Sequence, residues 1–224
     1  ITSRCYEQIK CSVAAMNTNV TLIGIGVGLG YADAGPTHYT TEDIATMRAF
    51  PNIEIITPCD ENSTKQVAKL CIDNPKFRFI RLDREALPGI YENTNINLED
   101  GYSKVLEGKS KSKCVVTCGK LLHLAKSVIK KNNLDYSLID LFKIKPLTSK
   151  FLKEISSYSE IISLEEQCLD GGFGSAVLEF CNKNMLSVNI KRHGLKDRFY
   201  FENGGRDYLI KKYGLDIEKI LSNS

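Results

Sequence analysis

Hydrophobic residues along the chain follow two alternating spacings. Short apolar runs rich in β-branched residues are typical of buried strands; they span 19–24, 52–57, 77–82, 113–118, 136–141, 160–164 and 187–191. Between them, apolar residues recur every three or four positions, which predicts helices; these are expected at 1–16, 42–50, 60–73, 121–132, 148–155, after 171–174, at 205–213 and at 216–222. Alternation of strand and helix predicts an α/β fold with mostly parallel sheets.

The alternation is interrupted once, between residues 89 and 112, where Asn, Glu, Lys, Ser and Gly predominate. Such a stretch is typical of a linker or a peripheral strand at a domain boundary. We therefore predict a first domain over 1–90, a linker over 91–112 and a second domain over 113–224. Each domain is expected to hold a mostly parallel sheet flanked by helices, because 224 residues suffice for two modest cores.

A glycine-rich loop follows the first predicted strand. Glycines stand at alternate positions, 24, 26, 28 and 30. Glycine permits positive φ and close approach of the backbone to a ligand, so this pattern indicates a loop with a special task. It is not a dinucleotide-binding G-x-G-x-x-G fingerprint, because Leu29 and Tyr31 occupy the positions where the last glycine would stand.

The loop leads into a stiff turn, Gly35-Pro-Thr-His38, that presents one imidazole. Thr41, Glu42 and Asp43 then supply the capping hydroxyl and the acidic groups that favour a helix start. Strand, glycine loop, histidine and helix in this order predict a site at the carboxyl end of a parallel strand. On the residues alone, His38 could equally be a solvated turn residue or a hydrogen-bonded core histidine.

Composition narrows the class of protein. Charged residues make up 25% of the chain and the net charge is only +3, which argues against a nucleic-acid or membrane surface. No apolar run reaches the length of a membrane span. The eight cysteines form no C-x-x-C pair, which favours free thiols in a reducing, cytoplasmic environment.

Longer stretches resemble a known family. Residues 3–9, 35–38 and 42–51 resemble the pyrimidine-binding domain of transketolases, which are thiamine-diphosphate enzymes. Residues 139–146, 165–174 and 194–199 resemble the C-terminal domain of the same family. Together these motifs cover nearly the whole chain. The resemblance implies a thiamine-diphosphate-binding-like domain followed by a transketolase C-terminal-like domain.

The resemblance also implies a reaction. Members of the family transfer a two-carbon ketol unit between sugar phosphates, using thiamine diphosphate and Mg²⁺ in a dry cleft between two protein chains. A cleft of this kind implies either a homodimer or a heterotetramer with an N-terminal thiamine-diphosphate-binding subunit. No nucleic acid or membrane partner is expected.

Several residues match functional positions of the family. His38 is expected to be catalytic, donating to the substrate oxygen or moving its proton. Arg84 is expected to bind the phosphate end of the sugar through its guanidinium fork, with Arg81 assisting from the same strand. Asp33 is the candidate reader of a substrate hydroxyl, although the family places that aspartate where Ala34 stands. No cofactor- or metal-binding residue is assigned within this chain.

Other positions depart from the family pattern. Gly26 stands where transketolases carry a phosphate-binding histidine, so the substrates need not be the usual pentose phosphates. The chain contains no G-D-G segment followed by a metal-binding asparagine. The activating glutamate of the family falls upstream of Ile1, which enters directly in a mid-domain helix. We therefore expect a split subunit or a fragment that is inert alone.

Two alternatives stay open. The chain could be part of another thiamine enzyme, such as deoxyxylulose-phosphate synthase or a 2-oxoacid dehydrogenase component, and Gly26 favours that interpretation. It could also be a non-catalytic remnant kept for dimerisation or regulation. A reading frame that encodes a G-D-G…N domain and the activating glutamate would favour an enzyme.

Overall fold

A computed structural model describes residues 1–92, 94–110 and 112–223. Positions 93 and 111 of the predicted linker and position 224 of the second predicted domain lie outside the described residues. The strands are β1 Thr21–Ile25, β2 Glu54–Ile56, β3 Arg78–Leu82, β4 Ser103–Leu106, β5 Lys113–Thr117, β6 Ser137–Asp140, β7 Lys143–Lys145, β8 Glu160–Cys168 and β9 Asn189–Leu195.

The helices lie in the gaps between the strands. They are α1 Tyr6–Gln8, continued by a π-helical turn over Ile9–Ala14, then α2 Asp43–Met47, α3 Glu61–Asp73, α4 Lys120–Lys131, α5 Ser149–Ile155, α6 Phe173–Lys183, α7 Arg206–Lys212 and α8 Ile217–Ser222. Within the described ranges, no helix is both long and apolar enough to cross a membrane. The predicted α/β class, with two mostly parallel sheets flanked by helices, is confirmed.

The first sheet has the strand order β1-β3-β2-β7. Strands β1 and β3 run parallel, with Ile25 opposite Leu82 at their carboxyl ends. A further hydrogen bond from the Gly26 amide to the Leu82 carbonyl, 2.9 Å long, extends this pairing into the glycine loop. The two chain segments that follow β1 and β3 therefore leave the sheet side by side.

The second sheet has the order β4-β6-β5-β8-β9, in which only β4 is antiparallel to its neighbour. Strand β4 falls within the segment predicted as a linker or peripheral strand, and it forms the sheet edge. Strand β8 is nine residues long and buried along most of its length. It carries Glu165, Glu166 and Gln167 to the carboxyl side of the sheet.

The two halves of the chain are interlocked. Strand β7 comes from the second half but pairs with β2 of the first sheet. Its Lys145 donates to the carbonyls of Arg48 and Phe50 at 2.8 and 2.5 Å, where α2 ends. Two apolar clusters mix side chains of both halves, for example Leu29 with Val115 and Ile44 with Val116. The sequence did not predict β7, because three residues carry too little periodicity.

Side-chain caps begin three of the helices, namely α3, α5 and α8. Asp60 begins α3 with a reciprocal capping box to Ser63, and Thr148 caps α5 as predicted, accepting from the Phe151 amide at 3.1 Å. The predicted Thr41 cap of α2 is wrong: Glu42 is the cap residue and no side chain caps the helix. Asp43 instead faces Arg81, and this ion pair fixes the start of α2.

A buried tyrosine joins the segment after β3 to the second sheet. The Tyr91 amide donates to Asp60 at 2.7 Å, and the Tyr91 hydroxyl donates to Asp140 Oδ2 at 2.8 Å. Asp140 has no exposed surface, and its Oδ1 has no hydrogen-bond partner among the described residues. Burial raises the pKa of Asp140 to about 7, although the Tyr91 and Cys59 hydrogen bonds oppose this shift.

Replacing Asp140 with asparagine should remove a pH-dependent loss of stability. A raised folded-state pKa means that the acid stabilises the fold when protonated, and that this stability is lost as pH rises from about 4 through about 7. We expect Asp140→Asn to exceed the wild type in unfolding free energy by roughly 2–4 kcal/mol at pH 8, but not at pH 4. Urea denaturation at both pH values checks this, and an equal difference at both would contradict it.

Candidate functional site

The carboxyl ends of β1 and β3 bring together the residues singled out in the sequence. The chain after β1 forms the glycine loop and the His38 turn, and the chain after β3 forms the turn that carries Arg84. A cavity of about 240 Å³ opens beside this edge, lined by Gly26, Tyr31, Thr40, Asp43 and residues of β1. The predicted location, at the carboxyl ends of parallel strands, matches the placement of these residues.

Tyr31 is the centre of the cluster. Its ring lies 4.8 Å from the guanidinium carbon of Arg84, in a cation–π contact, and its centroid lies 5.8 Å from that of the His38 ring. Gly26 makes room for the ring, because a Cβ at position 26 would lie 2.0 Å from Tyr31 Cε2. The structure thus brings His38 and Arg84 to one aromatic side chain that the sequence analysis did not single out.

The His38 turn exposes its imidazole. Gly35 adopts φ +77°, which glycine permits, and its carbonyl accepts from the amides of His38 and Tyr39 at 3.0 and 3.1 Å. Nδ1 of His38 lies 2.9 Å from the Thr37 hydroxyl, so a neighbouring side chain steadies the ring. His38 is therefore a solvent-facing group, and the core-histidine alternative is wrong.

Arg81 is buried, whereas Arg84 is exposed. It is 1% exposed and donates to both oxygens of Asp43, at 2.7 and 3.1 Å, and to the Thr57 hydroxyl at 2.9 Å. Burial opposes the charged form, but Asp43 outweighs this effect and raises the pKa of Arg81. This placement corrects the expected substrate contact: Arg81 faces the interior and holds α2 against β3.

Asp33 fastens the site loop to the second half of the chain. Its Oδ1 accepts from the amides of Gly204 and Gly205 at 2.7 and 2.9 Å, directly before α7. These two bonds, first that of Gly205 and then that of Gly204, lower the pKa of Asp33. The Asp33 carboxylate is exposed, and only its Oδ1 binds the backbone amides, so its expected role as reader of a substrate hydroxyl stays a prediction.

A buried charge network of Arg206, Glu166 and Asp83 supports the glycine loop. Arg206, at the start of α7, donates to Glu166 at 3.0 and 3.1 Å and to both oxygens of Asp83 at 2.7 and 2.8 Å. Glu166 also accepts from the Leu29 amide at 3.2 Å. Gly28 is required here, because a Cβ would lie 2.4 Å from that of Glu166. One arginine therefore ties the glycine loop, the end of β8 and the turn before Arg84 together.

The protonation states of this network follow from burial and pairing. Burial raises the pKa of Glu166, and Arg206 offsets only part of that rise. Burial acts on Asp83 too, but there the pairing with Arg206 prevails and the pKa is lowered. The pKa of Arg206 is raised, because its two carboxylate partners outweigh its own burial. The ion pairs of Arg206 with Glu166 and Asp83 therefore hold the glycine loop in place.

Sequence reasoning missed Tyr31, Glu166 and Arg206 as a connected set. The adjacent acids Glu165 and Glu166 at the end of an apolar strand were a usable signal, because buried carboxylates need a cation. Nothing in the local pattern connects Arg206 with them. Among the described residues, no group of three His, Cys, Asp or Glu side chains is placed to hold a metal ion.

Comparisons with known proteins cover both halves of the chain. Residues 2–89 match the family model described as transketolase, pyrimidine binding domain, and residues 101–220 match transketolase, C-terminal domain. A relative from Phocaeicola vulgatus, named as a subunit of apulose-4-phosphate transketolase, is 29% identical over 97% of this chain and 70% of its own length.

Two further comparisons bear on family and fold. The 1-deoxy-D-xylulose-5-phosphate synthase of Francisella tularensis subsp. novicida is 34% identical over 97% of this chain, which spans only 35% of that enzyme. A solved structure titled "Split gene transketolase, inactive beta4 tetramer" superposes with a TM-score of 0.82 at 24% identity, covering 99% of this chain and 71% of that one. At this identity, the superposition supports the fold alone.

Proposed function

The chain belongs to the transketolase family, and we propose that it acts as the C-terminal part of a thiamine-diphosphate-dependent transferase that moves a two-carbon ketol unit between sugar phosphates. The single observation that carries this proposal is the contact of Tyr31 with both His38 and Arg84 at one sheet edge. A proton-transfer group and an anion-binding group are thereby held close together and open to solvent.

The two groups have complementary tasks in this proposal. His38 donates a hydrogen bond to the oxygen of the ketose carbonyl and moves a proton at that atom, a task for which imidazole is suited near neutral pH. Arg84 binds the phosphate group through its planar fork. Arg81 and Asp33 act indirectly in this proposal: Arg81 fixes α2, and Asp33 fixes the site loop. Substrate contact is thus assigned to His38 and Arg84.

Thiamine diphosphate fits the chemistry of the cavity beside β1. Ile23 and Ile25 are more than half exposed along this wall, and Tyr31 and Asp43 complete it, so an aromatic ring finds an apolar face and polar groups together. When bound, the cofactor supplies the nucleophilic carbon for the ketose carbonyl. We propose that Mg²⁺ and the diphosphate are held by a domain outside this chain, since the sequence lacks a G-D-G…N segment.

A partner follows from the same surface. Strand β1 is an edge of the first sheet, and Ile23 and Ile25 are 54% and 55% exposed on it. Exposed apolar residues on an edge strand are typical of an interface. We propose that a thiamine-diphosphate-binding subunit or domain covers this edge, in a homodimer or a heterotetramer.

A cytoplasmic location is a separate proposal. It rests on the cysteines, all eight of which are free in the described ranges, as is usual in a reducing compartment.

Deoxyxylulose-phosphate synthase chemistry is the second candidate, and Gly26 is the observation that favours it. The structure offers another reason for this glycine, namely the space that the Tyr31 ring occupies. Because this packing alone explains a glycine at position 26, the absence of the phosphate-binding histidine there is weaker evidence for a different enzyme. A non-catalytic remnant is less well supported. His38 and Arg84 are exposed and contribute little to the core, so stability alone does not explain why they stand there.

The experiment that tests the proposed function is Arg84→Ala in the native assembly, isolated through a tag on this chain. Loss of a charge-assisted hydrogen bond should raise KM for a phosphorylated ketose by about 10- to 100-fold. KM for an unphosphorylated ketose such as erythrulose should stay unchanged. The control is Arg198→Ala, which removes an exposed arginine stacked 5.0 Å over Tyr200. Equal effects of Arg84→Ala on both ketoses would contradict the assignment.

A further inference from the structure

The turn that carries Arg84 is held at both of its neighbours. Asp83, on one side, is 6% exposed in its side chain and is paired with Arg206 at the start of α7. Oδ1 of Asp83 also accepts from the Glu85 amide at 3.0 Å, which closes a turn around Arg84. Glu85, on the other side, accepts from Lys120 Nζ at 2.7 Å. These contacts hold the backbone of the turn, from which the exposed Arg84 side chain extends.

Lys120 reaches this turn from the second half of the chain. It is the first residue of α4, and its Nζ lies 2.7 Å from Glu85 Oε2 and 2.7 Å from Asp207 Oδ1. Its side chain is only 11% exposed. Burial disfavours the charged form, but the hydrogen bonds to Asp207 and Glu85 outweigh it and raise the pKa of Lys120. A charged lysine therefore links the Arg84 turn with α4 and α7.

The local structure of α4 does not explain this lysine. A cation in the first turn of a helix meets the positive end of the helix dipole, where an acidic residue is favoured. Residues 120–123 of α4 read Lys-Leu-Leu-His and include no acid. The benefit of a lysine at this position comes instead from carboxylates that are distant in the sequence, among them Glu85, which stands thirty-five residues earlier.

We propose that Lys120 is a positioning residue for phosphate binding, which acts through Glu85 to hold the Arg84 turn in place before the substrate binds. The inference rests on the proposed function, because it needs Arg84 to bind the phosphate group. A turn that is already ordered loses little further freedom when an anion binds, so less binding free energy is lost to ordering. Lys120 itself does not contact the phosphate, since its ammonium binds two carboxylates.

The first test is Lys120→Met in the tagged native assembly. The variant should raise KM for a phosphorylated ketose by about three- to tenfold, less than Arg84→Ala does, because the guanidinium is kept. KM for erythrulose and kcat for both ketoses should stay within about twofold of wild type. Lys120→Arg keeps a cation within reach of Glu85 and should restore most of the wild-type KM. The control is Lys130→Met, which removes an exposed lysine about 15 Å further along α4 and should leave KM unchanged.

A double-mutant cycle tests whether Lys120 acts through Glu85. Glu85→Ala should raise the same KM as much as Lys120→Met does, and the double variant should be no worse than either single one, because each change removes the same contact. Effects that multiply in the double variant would show two independent contributions and overturn the inference. A Lys120→Met effect that Glu85→Ala does not share would show that the lysine acts on the substrate directly, and would overturn it too.

The outcomes also separate the inference from the proposed function. An unchanged KM in Lys120→Met, beside a raised KM for the phosphorylated ketose in Arg84→Ala, overturns the role of Lys120 and leaves the proposed function intact. Equal losses of Lys120→Met on both ketoses show a merely structural role and overturn it as well. Equal effects of Arg84→Ala on both ketoses overturn the proposed function, and the inference with it. If Lys120→Met fails to assemble, Glu85→Ala carries the same prediction, since its side chain is 41% exposed.

Discussion

His38→Ala should lower kcat/KM for ketol transfer by about 10²- to 10⁴-fold, the range typical of a lost general acid–base group. The melting temperature should stay within about one degree, because an exposed imidazole in a turn contributes little to the core. Steady-state kinetics of the tagged native assembly, beside a thermal melt, measures both. The variant thus separates an effect on catalysis from an effect on stability.

Two companion variants refine the role of this histidine. His38→Gln keeps a hydrogen-bond donor but cannot exchange a proton, so partial recovery over alanine would favour the donor role and no recovery would favour proton transfer. His123→Gln is the matched control, because His123 lies on α4 and bonds the Cys59 carbonyl at 2.8 Å. A His38→Ala assembly as active as wild type would exclude this residue from the reaction.

Arg206→Met should destabilise the chain by about 3–5 kcal/mol, the usual result of removing one partner from a buried ion pair. Asp83 and Glu166 are 6% and 3% exposed in their side chains and would be left as buried, uncompensated carboxylates. Urea denaturation measures the loss. The deficit should shrink as pH falls, because protonation of these two acids then relieves the uncompensated charge.

The controls for this variant come from the same helix and the same network. Lys211→Met removes an exposed cation of α7 and should change stability by less than about 0.5 kcal/mol. The triple change Arg206→Met, Asp83→Asn and Glu166→Gln removes all three charges and should recover much of the loss. An Arg206→Met chain as stable as wild type at pH 8 would show that the network does not hold the loop.

The sequence predicted the fold well, because its strands and most helices are strongly periodic. Strand β7 was missed, since it pairs with a segment almost ninety residues earlier and its three residues have no pattern of their own. The start of α2 was assigned to Thr41, although the nearby Asp43 is held by Arg81 from another strand. Both errors concern partners that are distant in the sequence.

The candidate site was predictable as motifs but not as an arrangement. The G-P-T-H turn pointed to His38, and the match to the family pointed to Arg84, each as a separate residue. Tyr31 looked like an ordinary loop residue, and only three-dimensional proximity connects it with both. Arg81 and Asp33 were expected at the substrate because local sequence gives no sign of their partners Asp43, Gly204 and Gly205.

The most direct measurement is ketol transfer by the tagged native assembly and by the isolated chain at equal concentration, both with thiamine diphosphate and Mg²⁺ added. We expect transfer from the assembly, loss of that transfer when the cofactor is removed, and none from the isolated chain. An isolated chain that transfers at the same rate would contradict the shared cleft. An assembly that stays inactive with the cofactor and a ketose phosphate present would contradict the proposed function itself.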